Sequence, residues 1–289
     1  MKKHFSLLLA TAFALLTGCQ NNEEFKPESE GMGSIKFSII NYEQCSLDDV
    51  TRATAVDTLK NIDMVIYDAA TDAVVSQVRQ TKEDENYGSF SATLPFGEYH
   101  VVFLGYDGLR KAIVDSPTDI CFDDDYVPNF FYNNTLLTIN KKENNSKAIS
   151  LKRPVAAFNI FSKGGIPENL SKITISSEGG SHHFNAFTGY GTTEESRSYT
   201  FDMSKNAGKD TVNIYFFTFL TVERSTMNFT VSAFNTDDNP ICTQFFNDVD
   251  MAINQRTRYI GNLFAEPSSS TSFNLTLENI KWNDKNVSF

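Results

Sequence analysis

The stretch "IDMVIYD", Ile62 to Asp68, decides how the chain is read. Ile62, Met64 and Ile66 recur at every second position, which on an extended backbone places them on one face. The same period runs through most of the sequence. "IKFSII" sets Ile35, Phe37 and Ile39 on one side, and "YHVVFLGY" does so with Tyr99, Val101 and Phe103. In "MNFTVSAF", Met227, Phe229, Val231 and Ala233 alternate with Asn228, Thr230 and Ser232. "TVNIYFFTFL" is apolar on both faces, the pattern expected of a central sandwich strand.

Turn clusters separate these runs: "LPFGEY", "NKKENNS", "SEGG", "NAGKD" and "NTDDNP". No window reads as a long amphipathic helix; the best is a short turn near Pro167 to Leu170. Many short strands with turns at this spacing predict an all-β fold of sandwiches. The most polar internal break is Asn140 to Lys147, after which "ISLKRPVAAFNIF" resumes a buried strand. A domain boundary is therefore expected near Lys152, with one sandwich over residues 34–151 and a second over 152–289. No fixed-period repeat is visible.

The N-terminus has its own logic. Met1, Lys2 and Lys3 precede an apolar run from Phe5 to Leu16, about a dozen residues against the roughly 20 that span a bilayer. The run ends at "LLTGCQNNEE", where Leu16-Thr17-Gly18-Cys19 resembles a bacterial lipobox. That resemblance implies a signal peptide over residues 1–18 and lipid on Cys19; stable anchoring takes more than one acyl chain. Residues 19–33, with Pro27, Gly31 and Gly33, read as a flexible tether. The acidic residues after Cys19 resemble surface-export signals, which favour the outer leaflet facing the medium.

Removing residues 1–18 takes away two of the 25 basic residues and none of the 36 acidic ones. The mature chain then carries 23 basic against 36 acidic residues, a net charge of −13. Nucleic acid, bound through Lys and Arg, is excluded as a partner, and so is a polybasic membrane contact. Cys45, Cys121 and Cys242 are odd in number, far apart and in no CxxC pair, which leaves open whether any two pair.

Chemistry-bearing clusters are few. On a strand the adjacent His182 and His183 would point to opposite faces and could not share a metal. Asp123 to Asp125 and Asn235 to Asn239 supply clustered oxygens, yet neither matches an EF-hand spacing, and both are ordinary turn chemistry. There is no G-x-S-x-G, HExxH, P-loop or GxGxxG motif. No catalytic residue, metal set or cofactor is assigned. Trp282 is the only tryptophan, so an aromatic sugar-binding platform would have to be built mainly of Tyr and Phe.

The lipobox, "IDMVIYDAATDAVV", "SATLPFGEYHVVFLGYDG", "ISLKRPVAAFNI", "TRYIGNLF" and the late "LTLENIKW" together resemble the FimB-like fimbrial anchor and fimbrillin-like lipoproteins of Bacteroides-type bacteria. The resemblance implies two transthyretin-like sandwiches in tandem and a role in anchoring, capping or forming a surface pilus. It implies no enzymatic activity and no cofactor. Its partners would be other fimbrial subunits and the outer membrane, reached through the lipid.

Such assemblies work by strand complementation, in which an extended segment fills a groove in a sandwich. Two segments are candidates: Ser34–Ile40, with Ile35, Phe37 and Ile39, and Phe273–Trp282, with Phe273, Leu275 and Leu277. In related shaft pilins a protease cuts after an arginine in such a loop; here that would be Arg52, leaving Ala53 as the first residue. A retained anchor and a cleaved, polymerising shaft or tip subunit are both compatible with the sequence. A glycan-binding lipoprotein of a polysaccharide-uptake system is the rival from another class. The sequence names no surface ligand.

Overall fold

The computed structural model describes residues 31–42, 59–108, 110–141, 145–265 and 276–281. The fold is all-β, as the period-two pattern predicts. Residues 1–30, where the sequence leads one to expect the signal peptide and the lipid on Cys19, lie outside the described residues, as do Cys45, Arg52, Ala53, Phe273, Leu275 and Trp282.

The first sandwich contains two sheets. In one, β1 (Met32–Tyr42) lies between β4 (Ser89–Pro95), to which it is antiparallel, and β9 (Asn145–Leu151), to which it is parallel. The tether read from sequence is thus too long, because Met32 and Gly33 are already strand. The other sheet is antiparallel throughout. It comprises β2 (Asn61–Asp68), β3 (Val74–Thr81), β5 (Gly97–Tyr106) and β8 (Phe130–Ile139), in the order β3-β2-β5-β8. Between them is a core that includes Phe37, Ile62, Met64, Ile66, Phe103 and Phe131.

The second sandwich repeats this plan. In one sheet, β10 (Val155–Lys163) lies between β15 (Thr211–Phe219), antiparallel, and β18 (Gln255–Gly261), parallel. β19 (Thr276–Lys281) adds to the outer edge of β18. The facing sheet holds β11 (Leu170–Glu178), β14 (Arg197–Asp202), β16 (Arg224–Asn235) and β17 (Pro240–Ala252), in the order β14-β11-β16-β17. Apart from β19, each of these strands finds its counterpart in the first sandwich with the same pairing. The topology is duplicated although the sequence shows no repeat.

Both sandwiches carry insertions, and the insertions meet. β6 (Ala112–Ser116) and β7 (Asp119–Phe122) lie between β5 and β8; β12 (Phe184–Asn185) and β13 (Tyr190–Gly191) lie between β11 and β14. They join in one small sheet through the pairing of Phe184 with Ile120. Ala186 N–H also donates to the Pro117 carbonyl at 2.9 Å.

Around this bridge is a third core. Val65 and Tyr67 from β2, and Val102, Leu104 and Tyr106 from β5, meet Val155 and Ala157 from β10 and Phe217 and Phe219 from β15. β2 is therefore buried on both faces, with Ile62 through Tyr67 at 0% exposure. Alternation identified only the face toward the first core. β15 departs from expectation in a related way. It stands at the edge of its sheet, and its two apolar faces serve the second core and this junction.

A polar residue in such a place must be paired. Asp63 accepts from Arg79 Nε at 2.7 Å and Nη2 at 2.5 Å, and Tyr106 O–H reaches it at 3.4 Å. Burial pushes the Asp63 carboxyl up, and Arg79 opposes the shift. Tyr67 O–H donates to the Val114 carbonyl at 2.8 Å, fixing β6 on the sheet.

Just past β5, burial pushes Asp107 up to about 6, with Lys60 and Arg153 only partly offsetting it. A raised carboxyl value means ionisation costs stability above pH 6, and stability returns as pH falls through that value. Asp107→Asn should therefore stabilise the fold by about 3 kcal/mol near pH 7.5 and by about 1 kcal/mol near pH 4.5. Thermal melts of both proteins at the two pH values check this; an equal gain at both would refute the burial cause.

Candidate functional site

β1 is the element that the sequence marks as a complementation segment. Its alternation is realised: Ile35 and Phe37 are 1% exposed and Ile39 is 8% exposed. The Phe37 ring meets Phe103 edge-on at 5.1 Å between centroids, and Phe90 meets Phe103 at 5.7 Å. The other side of β1 is exposed and mixed, with Lys36 and Ile40 among its residues and Ser34 hydrogen-bonded to Thr93 at 3.0 Å.

Both edges of β1 are used. Ser34 through Ser38 pair with Thr93 through Ser89, and Ile35 through Ile39 pair with Asn145 through Ile149. The strand is thus central, and its entry is close-packed. A Cβ on Gly33 would come within 2.6 Å of Ile139 Cγ2, and one on Gly31 within 2.0 Å of the Phe96 ring. These glycines permit the close approach of the chain to Phe96 and Ile139. The sequence signal for this was weak, since two glycines beside a strand also read as a linker.

The C-terminal candidate is only partly described. β19 pairs antiparallel with β18, with Leu277 opposite Tyr259. It is an edge addition, unlike β1.

The paired histidines depart from expectation. Residues 181–183 form a bridge and a bend rather than a regular strand, and the two rings lie side by side, 4.1 Å apart. Each finds a carboxylate across or beside the junction. His182 Nδ1 is 2.5 Å from Glu195 Oε1 and its Nε2 is 3.2 Å from Asp125 Oδ1. His183 Nδ1 is 2.5 Å from Asp119 Oδ1. Ser181, 0% exposed, shapes the bend by donating to the His183 carbonyl at 2.9 Å.

The Asp-rich clusters are spent on turns and pairs. Asp123 accepts from Lys111 N–H at 3.3 Å, and Asp124 from Arg110 Nε at 3.2 Å. Asn235 Oδ1 accepts from the N–H groups of Asp237 and Asn239, both at 2.9 Å. Among the described residues, no three His, Cys, Asp or Glu side chains are grouped to hold a metal ion. Cys121 and Cys242 are free thiols, and burial pushes both up, away from reactivity.

Fold and site together define a multi-sandwich, all-β protein whose N-terminal strand is an integral, two-sided member of its sheet. Within that class the chain belongs to the family of fimbrillin-A associated anchor proteins Mfa1 and Mfa2, whose family model matches residues 26–283.

Solved structures with a similar fold include a candidate adhesin from Bacteroides ovatus, at 16% identity and TM-score 0.47, covering 81% of this chain and 88% of that one. The fimbrial anchor protein Mfa2 from Porphyromonas gingivalis aligns at 13% identity and TM-score 0.37, over 78% of this chain and 90% of its own. A fimbrial assembly protein from Parabacteroides distasonis aligns at 12% identity and TM-score 0.41, over 87% and 96%. Among curated proteins none matches. The family assignment rests on the sequence model.

If β1 is integral, truncating its core side chain should be costly. Phe37→Ala should lower unfolding free energy by about 3–5 kcal/mol, whereas Ile40→Ala on the exposed side should change it by about 0.5 kcal/mol or less. Urea titration measures both, and similar small losses would show that β1 is dispensable to the fold.

Proposed function

We propose that the protein is a fimbrial anchor or accessory subunit, held on the outer membrane by lipid on Cys19 and acting by strand pairing with other fimbrial subunits in adhesion. It performs this role without enzymatic activity. The observation that carries the reading is β1, paired on both edges and filling the first core with Ile35, Phe37 and Ile39. A lipid on Cys19 would be joined to the fold through that strand alone, so the anchor must retain it. The division into domains at residues 151 and 152 belongs to the same reading: β9 ends at Leu151 and β10 begins at Val155.

Cys19→Ser should release the protein from membranes while leaving its thermal midpoint unchanged. Fractionation of cells carrying the variant is the measurement, and unaltered membrane partitioning would remove the lipid from the argument.

A second reading keeps the same fold and changes the mechanism. Arg52 lies between the end of β1 at Tyr42 and the start of β2 at Asn61. Cleavage after it would cut the only covalent link from β1 to the rest, turning the protein into a polymerising shaft or tip fimbrillin. The anchor reading expects intact mass measurement of protein from the native surface to give a chain beginning at lipidated Cys19. A chain beginning at Ala53 within high-molecular-weight ladders would establish the fimbrillin mechanism instead.

A further inference from the structure

Beside the junction lies a cleft of about 200 Å³ that neither β1 nor the lipid explains. Its walls come from both sandwiches: the segment around Tyr126, and strands β14 and β15 with His182. Clefts between domains are common places for small ligands.

Rings form much of the wall. Tyr126 and Tyr199 lie 4.9 Å apart, and Tyr199 meets Phe201 edge-on at 4.8 Å. The Arg110 guanidinium is 4.7 Å from the Tyr126 ring centre and 5.4 Å from that of Tyr199, and its Nε is paired with Asp124. The two tyrosines are thus held as a pre-set pair. Burial pushes the Tyr126 hydroxyl up to about 12, so it stays a phenol at neutral pH.

The polar lining mixes donors and acceptors. Arg197 donates to the carbonyls of Asp125 at 3.2 Å and Phe217 at 3.1 Å, which fixes its guanidinium, and burial pulls it down to about 10. His182 stands between the carboxylates of Glu195 and Asp125. One fixed cation, two carboxylates and an imidazole give no excess of either sign large enough to select an ion. Aromatic faces beside balanced donors and acceptors suit a neutral polyol, with C–H groups on the rings and hydroxyls toward the polar wall. The volume is below the roughly 300 Å³ at which clefts for drug-sized molecules begin, so one ring fits and a large ligand does not.

We infer that this cleft binds one neutral pyranose ring, a hexose or N-acetylhexosamine at the end of a glycan. The inference does not depend on the fimbrial assignment. It locates the Tyr and Phe platform that a chain with a single tryptophan would need.

Saturation-transfer NMR on the full mature chain tests it, with glucose, galactose, mannose, N-acetylglucosamine and N-acetylgalactosamine as probes and glucuronic acid as the charged comparator. At least one neutral sugar should saturate in the millimolar range. Tyr199→Ala should weaken it about five- to tenfold, the scale of one lost ring contact. Ser196→Trp, at an exposed position on the cleft, should block it even if Tyr199→Ala fails to fold. Phe245→Ala, on an exposed position of β17, should leave it unchanged. The proposal is overturned by no saturable neutral sugar, by a preference for glucuronic acid, by undiminished binding in Ser196→Trp, or by equal loss in Phe245→Ala.

Discussion

The two-sided burial of β2 and β5 constrains the rest of the structure. A strand with one wet face tolerates polar side chains at every second position; on β2 the second face is covered, and its one charged residue there, Asp63, is paired. Val65, Tyr67, Val102 and Leu104 need an apolar partner, and the β10–β15 sheet supplies it. Phe130 ties the layers with edge-on contacts to Phe122 at 5.5 Å, Phe184 at 5.2 Å and Phe219 at 5.4 Å. An interface of this kind resembles a domain core more than a transient contact, so free swinging of the sandwiches is disfavoured. The same constraint explains why Asp63 is held by a bidentate arginine, since an unpaired carboxylate there would be expensive.

Duplication of the strand order follows from what a sandwich requires rather than from matching residues. A mixed three-strand unit, with one antiparallel and one parallel neighbour, occurs as β4-β1-β9 and again as β15-β10-β18. Pairing is a backbone property, and many side-chain sets satisfy it. Ile35, Phe37 and Ile39 in β1 correspond in place to Ala156, Phe158 and Ile160 in β10; two of these three core residues agree in type, whereas Lys36 and Ser38 between them give way to Ala157 and Asn159. The insertions break the duplication where the halves meet, and they supply the bridge between them.

Much of this was legible from period two alone. The core positions of β1, the inward face of β2 and the strand character of nearly every described segment follow from alternation and turn residues. Three features were not legible, each for a physical reason. Alternation reports one buried face and is silent when the other is also covered, as at Asp63, Val65 and Tyr67. Adjacent histidines point apart only on a regular strand, and the bend at His182 removes that premise. The cleft draws Tyr126 from one sandwich and Tyr199 from the other, residues that no local pattern connects.

The two candidate complementation segments are not equivalent, and the difference lies in their neighbours. Taking β19 from β18 would expose one edge, since β18 would still pair with β10. Taking β1 from its sheet would leave β4 and β9 without their common partner and open the core above Phe103. A replacement strand would have to bond on two sides at once, one antiparallel and one parallel, while presenting apolar side chains at alternate positions. Its first residues would also have to be small, because Ile139 and Phe96 close in on Gly33 and Gly31. Few sequences meet all three conditions. A groove of that kind selects its occupant by shape and register, and holds it more firmly than an open edge can.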